Sequence, residues 1–358
     1  MDRYSGPRLK LFLLIPGWAP ILFLSLGAGI VILPMLRQGY PLVHSIHFNL
    51  MWVFQYSQQV FGGDFYPRWL ESSFFGLGNP TFVFYPPLCM AAVLPFTALG
   101  WPAGSALVGS MLLATAVRGW GTYRLGGLLW PSPVAVAAAL AAMASPYFLV
   151  DVYERGAIGE VWAISLIPWV LWAGWRLVLA VWLGQKRFSA MVVLAGSYAL
   201  LGLAHLPALL VWTLVWLGLP WVMARTGREL RLLGFWLYGG TGMGLLLASF
   251  FLLPAALDQR WVSIDLINGW EMYDPLQRFL LIWNGQGLQL SQQEFDAHLV
   301  PYFWMALLLG LAGVGGMGLP ERFRSQDPLA RRGLLFLGLS TVLACVMMTS
   351  LSGPLYQI

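Results

Sequence analysis

The chain has 358 residues, of which 59% are hydrophobic and only 10% are charged. Soluble proteins contain about 25% charged residues, so this composition excludes an ordinary soluble domain and indicates a membrane protein. The net charge of +5 does not predict a nucleic-acid partner, because most Lys and Arg residues lie at the ends of apolar runs, as the positive-inside rule expects.

Apolar runs long enough for a bilayer, about 20 residues each, are the main feature along the chain. They fall at residues 12–36, 104–123, 131–150, 158–181, 188–205, 206–224, 232–254, 299–319 and 333–350. A tenth run, residues 83–100, is interrupted by Pro86, Pro87 and Pro95. The first run lacks the features of a cleaved signal peptide and is predicted to be a retained helix.

The distribution of basic residues predicts the topology. Arg3, Arg8 and Lys10 place the N-terminus in the cytoplasm. If residues 83–100 crossed the membrane, Arg118 and every later basic cluster would lie outside, against the positive-inside rule. Because the prolines break a regular helix, this run is predicted to be juxtamembrane or re-entrant.

The sequence therefore predicts an all-α polytopic membrane protein with about nine transmembrane helices and one juxtamembrane or re-entrant segment. Residues 1–358 form a single transmembrane domain in this prediction. Its two large extracytoplasmic loops are residues 37–103 and residues 255–298.

The first loop opens with HFNLMWVFQYSQQVF, which predicts an amphipathic helix on the outer interface, with Phe48, Met51, Trp52, Tyr56 and Val60 on its apolar face. Gly62 and Gly63 end this helix. Asp64 and Arg68 follow, and the Arg68 guanidinium is suited to a phosphate. The alternative is a headgroup anchor or an ion pair with Asp64 or Glu71.

The loop DVYERGAIGE carries the other extracytoplasmic charge cluster. Asp151, Glu154 and Arg155 are spaced to share one face of a helical turn. Gly156 allows a close backbone approach, and Glu160 ends the loop. The cluster either binds a ligand or neutralises itself as a cap on the next helix. His205, in GLAHLP, falls at an outer helical turn as a site residue or as a packing residue.

Several chemistries lack a supporting pattern. His44 and His47 could share a helix face as metal ligands, but no third ligand has suitable spacing, so no metal site is predicted. Cys89 and Cys345 lie in separate apolar runs and match no disulfide or zinc framework. No nucleotide-binding glycine motif is present, and no cofactor is predicted.

Five segments carry a family resemblance, namely FYPRW (65–69), GLGNPTFVFYPPL (76–88), YERGAIGEVWAISLIPWVL (153–171), GLAHLPALL (202–210) and LLPAALDQRW (252–261). They resemble bacterial multi-pass membrane proteins labelled "6-pyruvoyl-tetrahydropterin synthase-related", which are similar to the glycosyltransferase-C superfamily. The resemblance implies an inner-membrane protein, in contact with membrane lipids, that transfers a sugar from a polyprenyl-phosphate donor on the extracytoplasmic face.

The resemblance also implies roles for individual residues. Arginines neutralise the departing phosphate in such a mechanism, and an acidic residue activates the acceptor or orients a divalent metal, for which no ligand pattern is found here. Asp64, Asp151 and Glu154 are then the catalytic candidates, and Arg68, Arg155, His44, His47, Tyr85, His205 and Glu160 are the substrate-binding candidates. Arg68 and Arg155 are expected to share one extracytoplasmic pocket.

One departure from the family pattern supports an alternative. Members show an Asp, followed four residues later by a His, ahead of the Tyr-Pro-Arg-Trp block, and this chain has Ser45 and Asn49 at those positions. Serine cannot act as a carboxylate base at neutral pH. The alternative is a catalytically inactive scaffold or accessory subunit with a protein partner in a larger membrane complex.

Overall fold

A computed structural model of the protein describes residues 18–262, 279–283, 286, 288–290, 294–315 and 327–352. Apart from one short hairpin, the regular structure in these ranges is helical. The helices are α1 (Ala19–Gln38), α2 (Ile46–Phe61), α3 (Thr81–Phe84), α4 (Leu88–Ala91), α5 (Leu94–Ala98), α6 (Ala103–Gly126), α7 (Ser132–Met143), α8 (Pro146–Val150), α9 (Ile158–Leu183), α10 (Arg187–Ala204), α11 (Leu206–Leu217), α12 (Leu219–Met223), α13 (Gly227–Leu247), α14 (Ser249–Asp258), α15 (Glu294–Gly315) and α16 (Pro328–Met347).

Shorter helical segments join some of these elements. Phe74–Gly76 and Gln259–Trp261 form 3₁₀ turns, and Asp151–Arg155 forms a π-helical turn between α8 and α9. The hairpin consists of β1 (Leu281–Trp283) and β2 (Leu288–Leu290), which pair in antiparallel register with Leu281 opposite Leu290.

The helices have the lengths and composition of membrane spans, which confirms the prediction of an all-α multi-pass membrane protein. In the described ranges, seven continuous segments are long and apolar enough to cross a bilayer: Ala19–Gln38, Ser132–Arg155, Ile158–Leu183, Arg187–Ala204, Leu206–Met223, Gly227–Leu247 and Pro328–Met347. An eighth results if Leu88–Ala98 and Ala103–Gly126 together make one span. The predicted number of nine crossings stays a prediction.

The proline-rich run folds into short helices that meet α6 at a sharp angle. Leu88–Ala98 and Ala103–Gly126 are bent by 119° relative to each other. Pro86 and Pro87 precede α4, and Pro95 lies in the first turn of α5, where proline is tolerated. This bend is the geometry of a broken span or of a re-entrant loop, so the re-entrant prediction is allowed by the structure.

The described residues group into two compact units, a division that the prediction of a single transmembrane domain did not include. The first unit comprises the described residues among 1–217 and 226–257. Within it, α6, α7, α9, α10 and α13 pack against one another. Helix α9 lies at the centre, because 67% of its most apolar stretch is buried, the largest share of any span in the described ranges.

Arg118 connects helices of the first unit through its guanidinium group. The guanidinium donates to the carbonyl oxygens of Ala142 (2.8 Å) and Ile164 (3.0 Å) and to Ser145 Oγ (3.1 Å). Arg118 lies inside α6, and the cytoplasmic side that the topology gives it stays a prediction. A charged group packed between helices is tolerated only when neighbouring groups satisfy it.

The second unit comprises residues 218–225 and the described residues among 258–358. Helices α15 and α16 pack together there, and Leu280, Leu281, Phe303 and Cys345 form its buried cluster. The Arg332 guanidinium donates to the carbonyl oxygens of Val222 and Ala224, both at 2.7 Å. The hairpin was not predicted. Half of the predicted loop 255–298 lies outside the described residues, as do Arg3, Arg8 and Lys10.

Helix α2 confirms the predicted helix and its end, and it buries polar side chains that the prediction did not turn toward the protein. The buried positions include Asn49, Gln55 and Ser57, whereas Phe48 and Phe54 are 58% and 62% exposed. Apolar side chains that point away from the protein suit a helix in contact with lipid. The predicted apolar face was wrong at Tyr56, which is buried and packs edge-on against Phe82 (4.9 Å between ring centroids).

Candidate functional site

The first unit contains a cavity of about 280 Å³, here called the Arg155 cavity. Four segments that are distant in sequence form it: the N-terminal half of α2, the chain before α4, the π-helical turn with the start of α9, and the junction of α10 and α11. Its lining residues are Ser45, Phe48, Asn49, Trp52, Tyr85, Arg155, Gly156, Ala157, Glu160 and His205.

The π-helical turn is fastened to the start of α2 through the backbone. His44 N donates to Glu154 O (3.0 Å), and Ser45 N donates to Arg155 O (3.2 Å). Gly156 ends the turn with φ +64°, and a Cβ at this position would collide with the side chain of Val43. Only glycine meets both demands without strain.

Asn49 completes this attachment. Its Nδ2 atom donates to Tyr40 OH and to the carbonyl oxygen of Gly156, both at 2.8 Å, and the side chain is 2% exposed. A buried amide group that loses its hydrogen-bond partners lowers the free energy of unfolding. Asn49 therefore holds the wall of the cavity in place.

A network of charges lies at the polar end of the cavity. Arg155 Nη1 bonds Asp151 Oδ1, Glu160 Oε2 (2.9 Å) and Tyr147 OH (3.1 Å), and Tyr147 OH donates to Glu160 Oε1 (2.6 Å). The Asp151 side chain is fully buried, whereas the Arg155 and Glu160 side chains are 38% and 17% exposed. Asp151 thus fixes Arg155 from behind, while Arg155 and Glu160 face the cavity.

His205 and Tyr85 bring two neutral polar groups to the same cavity. His205 Nδ1 accepts from Ala208 N (3.3 Å), which leaves Nε2 as the protonated nitrogen of the neutral ring. Burial lowers the pKa of His205, with Glu160 opposing and Arg155 adding to this effect. Burial also raises the pKa of Tyr85 above its ordinary value, so both groups are uncharged at neutral pH.

A second cavity of about 370 Å³, here called the glutamine cavity, lies along the C-terminal half of α2. Its lining residues are Gln55, Gln58, Gln59, Gly62, Asp64, Glu71 and Ser72. Asp64 Oδ1 accepts from Tyr66 N (3.1 Å), and Asp64 and Glu71 are both exposed. The lining has two carboxylates and no cation.

Four of the predicted substrate-binding residues meet in the Arg155 cavity, namely Tyr85, Arg155, Glu160 and His205. Asp151 contacts this group through Arg155. Glu154 was expected on the same face, but its side chain is exposed and its carbonyl group is used instead. His44 and His47 are exposed at the start of α2.

Arg68 and Asp64 lie elsewhere. Asp64 lines the glutamine cavity, whereas Arg68 lines neither cavity. Arg68 and Arg155 were expected to share one pocket, and neither of these two cavities contains both residues. Arg68 Nη2 donates to Phe250 O (2.9 Å), and its guanidinium lies 5.0 Å from the ring centroid of Tyr66. Neither predicted ion pair, to Asp64 or to Glu71, is found for it among the described residues.

Sequence reasoning missed Tyr147 and the paired glutamines of the second cavity. Tyr147, Asp151 and Arg155 recur every four residues, a spacing that puts them on one helical face and could have revealed the network. Gln55 and Gln59 were assigned to the polar face of α2, but nothing in their spacing indicates that this face is turned inward.

The described part of the chain has no group of three or more His, Cys, Asp or Glu residues arranged to hold a metal ion. Its architecture is that of an all-α multi-pass membrane protein with a charged cavity beside an exposed apolar helix face. No protein-family model matches the chain, and no curated protein matches it in sequence.

Proposed function

We propose that the protein is a glycosyltransferase of the bacterial inner membrane, with a glycosyltransferase-C-like fold, that transfers a sugar from a polyprenyl-phosphate donor on the extracytoplasmic face. One observation carries this proposal: a guanidinium, a carboxylate and a neutral imidazole, from Arg155, Glu160 and His205, line one cavity together with the aromatic side chains of α2. This combination suits an amphiphile with a phosphate head.

The donor binds with its phosphate on Arg155 and its prenyl chain along α2. Phe48 and Trp52 line the cavity, and the exposed Phe48 and Phe54 continue its apolar wall toward lipid. Arginine matches a phosphate through paired hydrogen bonds. The incoming phosphate replaces Glu160 as a partner of Arg155, while the buried Asp151 keeps the guanidinium in position.

Once the phosphate has replaced it as a partner of Arg155, the Glu160 carboxylate acts as the general base. An acceptor hydroxyl attacks the anomeric carbon of the donor sugar, and its proton passes to the Glu160 carboxylate. The bond between the anomeric carbon and the phosphate oxygen breaks, so polyprenyl phosphate leaves with its negative charge balanced by Arg155. One such displacement inverts the anomeric configuration. Glu160 takes the role for which the sequence suggested Asp64, Asp151 or Glu154.

The proposal is tested by measuring undecaprenyl phosphate binding to the purified protein in nanodiscs by native mass spectrometry. Arg155→Gln is expected to weaken binding at least about tenfold, as for a lost charged hydrogen-bonding partner. Arg68→Gln is the matched control, because Arg68 lines neither cavity, and its affinity is expected to equal that of the wild type. Equal affinities for wild type and Arg155→Gln would contradict the proposal.

The alternative is an inactive scaffold or accessory subunit, and two observations favour it. Asn49 Nδ2 makes two structural hydrogen bonds, and Ser45 supplies no carboxylate to the cavity that it lines. A scaffold predicts undecaprenyl phosphate binding that is indifferent to Arg155 and comigration of the purified protein with a stable partner protein. An enzyme predicts the opposite result for Arg155.

A further inference from the structure

Two side-chain amides of the glutamine cavity each have one polar atom with a hydrogen-bond partner and one without, in the part of the chain that the structure describes. Gln55 is 5% exposed, and its Oε1 accepts from Ser73 Oγ (3.1 Å). Among the described residues, nothing accepts from its Nε2. Gln59 shows the reverse pattern, because its Nε2 donates to Trp69 O (2.9 Å) and its buried Oε1 has no donor there.

The Gln55 amide thus offers the N–H donors of its Nε2 group to the cavity, whereas Gln59 Oε1 is enclosed by protein atoms. A ligand oxygen that accepts from Gln55 Nε2 gives this amide the partner that the described protein does not supply. A hydroxyl group both donates and accepts. Ser72 adds a hydroxyl of its own, and the volume of about 370 Å³ falls within the range of small-molecule sites.

The charges of the side chains that line the glutamine cavity narrow the class of ligand further. Asp64 and Glu71 line the cavity, and no Lys or Arg does. Tyr66 N occupies one Asp64 oxygen, which leaves the other free to accept. Two carboxylates without a cation repel a phosphate and attract an ammonium group, although solvent weakens this attraction at exposed side chains.

We propose that the glutamine cavity binds a hydroxyl-rich ligand that carries an amino group, the class to which amino sugars belong. The buried Gln55 amide donates to its hydroxyl groups, and Asp64 and Glu71 recognise its ammonium group. This site shares no lining residue with the Arg155 cavity. The inference therefore does not rest on the transfer reaction proposed above.

The test uses the full-length protein in nanodiscs and isothermal titration calorimetry with three soluble probes. Glucosamine carries the amine, N-acetylglucosamine keeps the ring without the charge, and glucose 6-phosphate carries the opposite charge. Glucosamine is expected to bind about fivefold more tightly than N-acetylglucosamine, the size expected for exposed ion pairs. Glucose 6-phosphate is expected to bind most weakly.

Variants distinguish the carboxylate contacts to the ammonium group from the amide contacts to the hydroxyl groups. Asp64→Asn combined with Glu71→Gln alters only exposed side chains, so the fold is retained and the preference for glucosamine is expected to vanish. Gln55→Met is expected to weaken both sugars several-fold through the lost amide contact. Gln38→Met, an exposed glutamine at the end of α1, is the matched control and is expected to bind like the wild type.

Three results would overturn the inference. They are the absence of glucosamine binding to the wild type, affinity for glucose 6-phosphate that equals that for glucosamine, and a preference for glucosamine that survives in the Asp64→Asn, Glu71→Gln variant. Arg155→Gln is expected to leave glucosamine binding unchanged. Failure of the transfer proposal and failure of this one can therefore be told apart.

Discussion

The two halves of helix α2 border cavities of opposite chemistry. At the N-terminal half, aromatic side chains meet the ion pairs of Arg155, and at the C-terminal half, amides meet two carboxylates without a cation. Both cavities have polar walls because α2 buries Asn49, Gln55 and Ser57 beside its apolar contacts. A single helix that turns polar side chains toward the protein can therefore serve two ligands, with the neighbouring segments deciding the charge that each cavity accepts.

The largest expected effect is on stability, and it comes from breaking the attachment of the π-helical turn to the N-terminal end of α2. Gly156→Ala places a side chain at φ +64° and against Val43, so we expect a loss of about 2–4 kcal/mol of unfolding free energy from backbone strain and overlap. Denaturation in detergent, followed by tryptophan fluorescence, measures it. Gly196→Ala, with nothing within 4 Å of the new Cβ, is expected to be neutral or slightly stabilising; equal losses in both variants would refute this account.

A smaller effect on the same side is expected from Asn49→Ala. The change removes the hydrogen bonds to Tyr40 and Gly156, so about 1–3 kcal/mol of stability is expected to be lost. Gln38→Ala removes an amide of similar size from an exposed site and is expected to change stability by less than about 0.5 kcal/mol. If undecaprenyl phosphate binding falls while glucosamine binding remains, the attachment serves only the Arg155 cavity.

Glu160→Gln tests whether a carboxylate of the Arg155 cavity competes with phosphate for Arg155. It removes one of the two carboxylates that compete with phosphate for Arg155. Undecaprenyl phosphate is therefore expected to bind roughly threefold to fivefold more tightly, the range for a partly exposed ion pair, while sugar transfer is lost. Glu154→Gln, at an exposed carboxylate beside the same turn, is the control. Weaker phosphate binding in Glu160→Gln would show that the two groups do not compete.

The smallest effect is the pH dependence that His205 confers. Its folded-state pKa lies below the unfolded value of about 6.5, so the unfolded chain binds more protons in that interval and stability rises with pH there. This contribution is complete above pH 6.5 and is lost as the pH falls. The unfolding midpoint of the wild type is expected to drop more than that of His205→Gln between pH 7 and pH 5; parallel curves would exclude this role.

Sequence reasoning brought together the local part of the Arg155 cavity and named Tyr85 and His205 without predicting that they lie beside it. Asp151, Arg155 and Glu160 lie in one short loop, where spacing and backbone proximity are enough to bring them together. Tyr85 and His205 were candidates, but only the packing of separate segments brings them to the loop. Arg68 was paired with Arg155 because both are extracytoplasmic cations in the topology prediction, and shared sidedness does not specify a shared cavity.

The fold was predictable at the level of apolar runs, since each predicted run overlaps a helix of the structure. The orientation of α2 was not, because the hydrophobic periodicity of a helix marks two faces without stating which one faces protein and which one faces lipid. The hydrogen bonds of Arg118 were not predictable for a related reason. The positive-inside rule counts cations near helix ends, and a sequence does not show that a given cation is bonded to neighbouring helices.

Arg118 has a further consequence for how the protein reaches its membrane. Helix α6 meets the length and apolarity of a span only together with Leu88–Ala98, and the partners of its arginine come from chain that is synthesised later, the last being Ile164 in α9. We expect that α6 stays at the translocon or the bilayer surface until α9 has emerged from the ribosome. Biogenesis of the first unit would then proceed by the joint insertion of α6, α7 and α9 rather than one helix at a time.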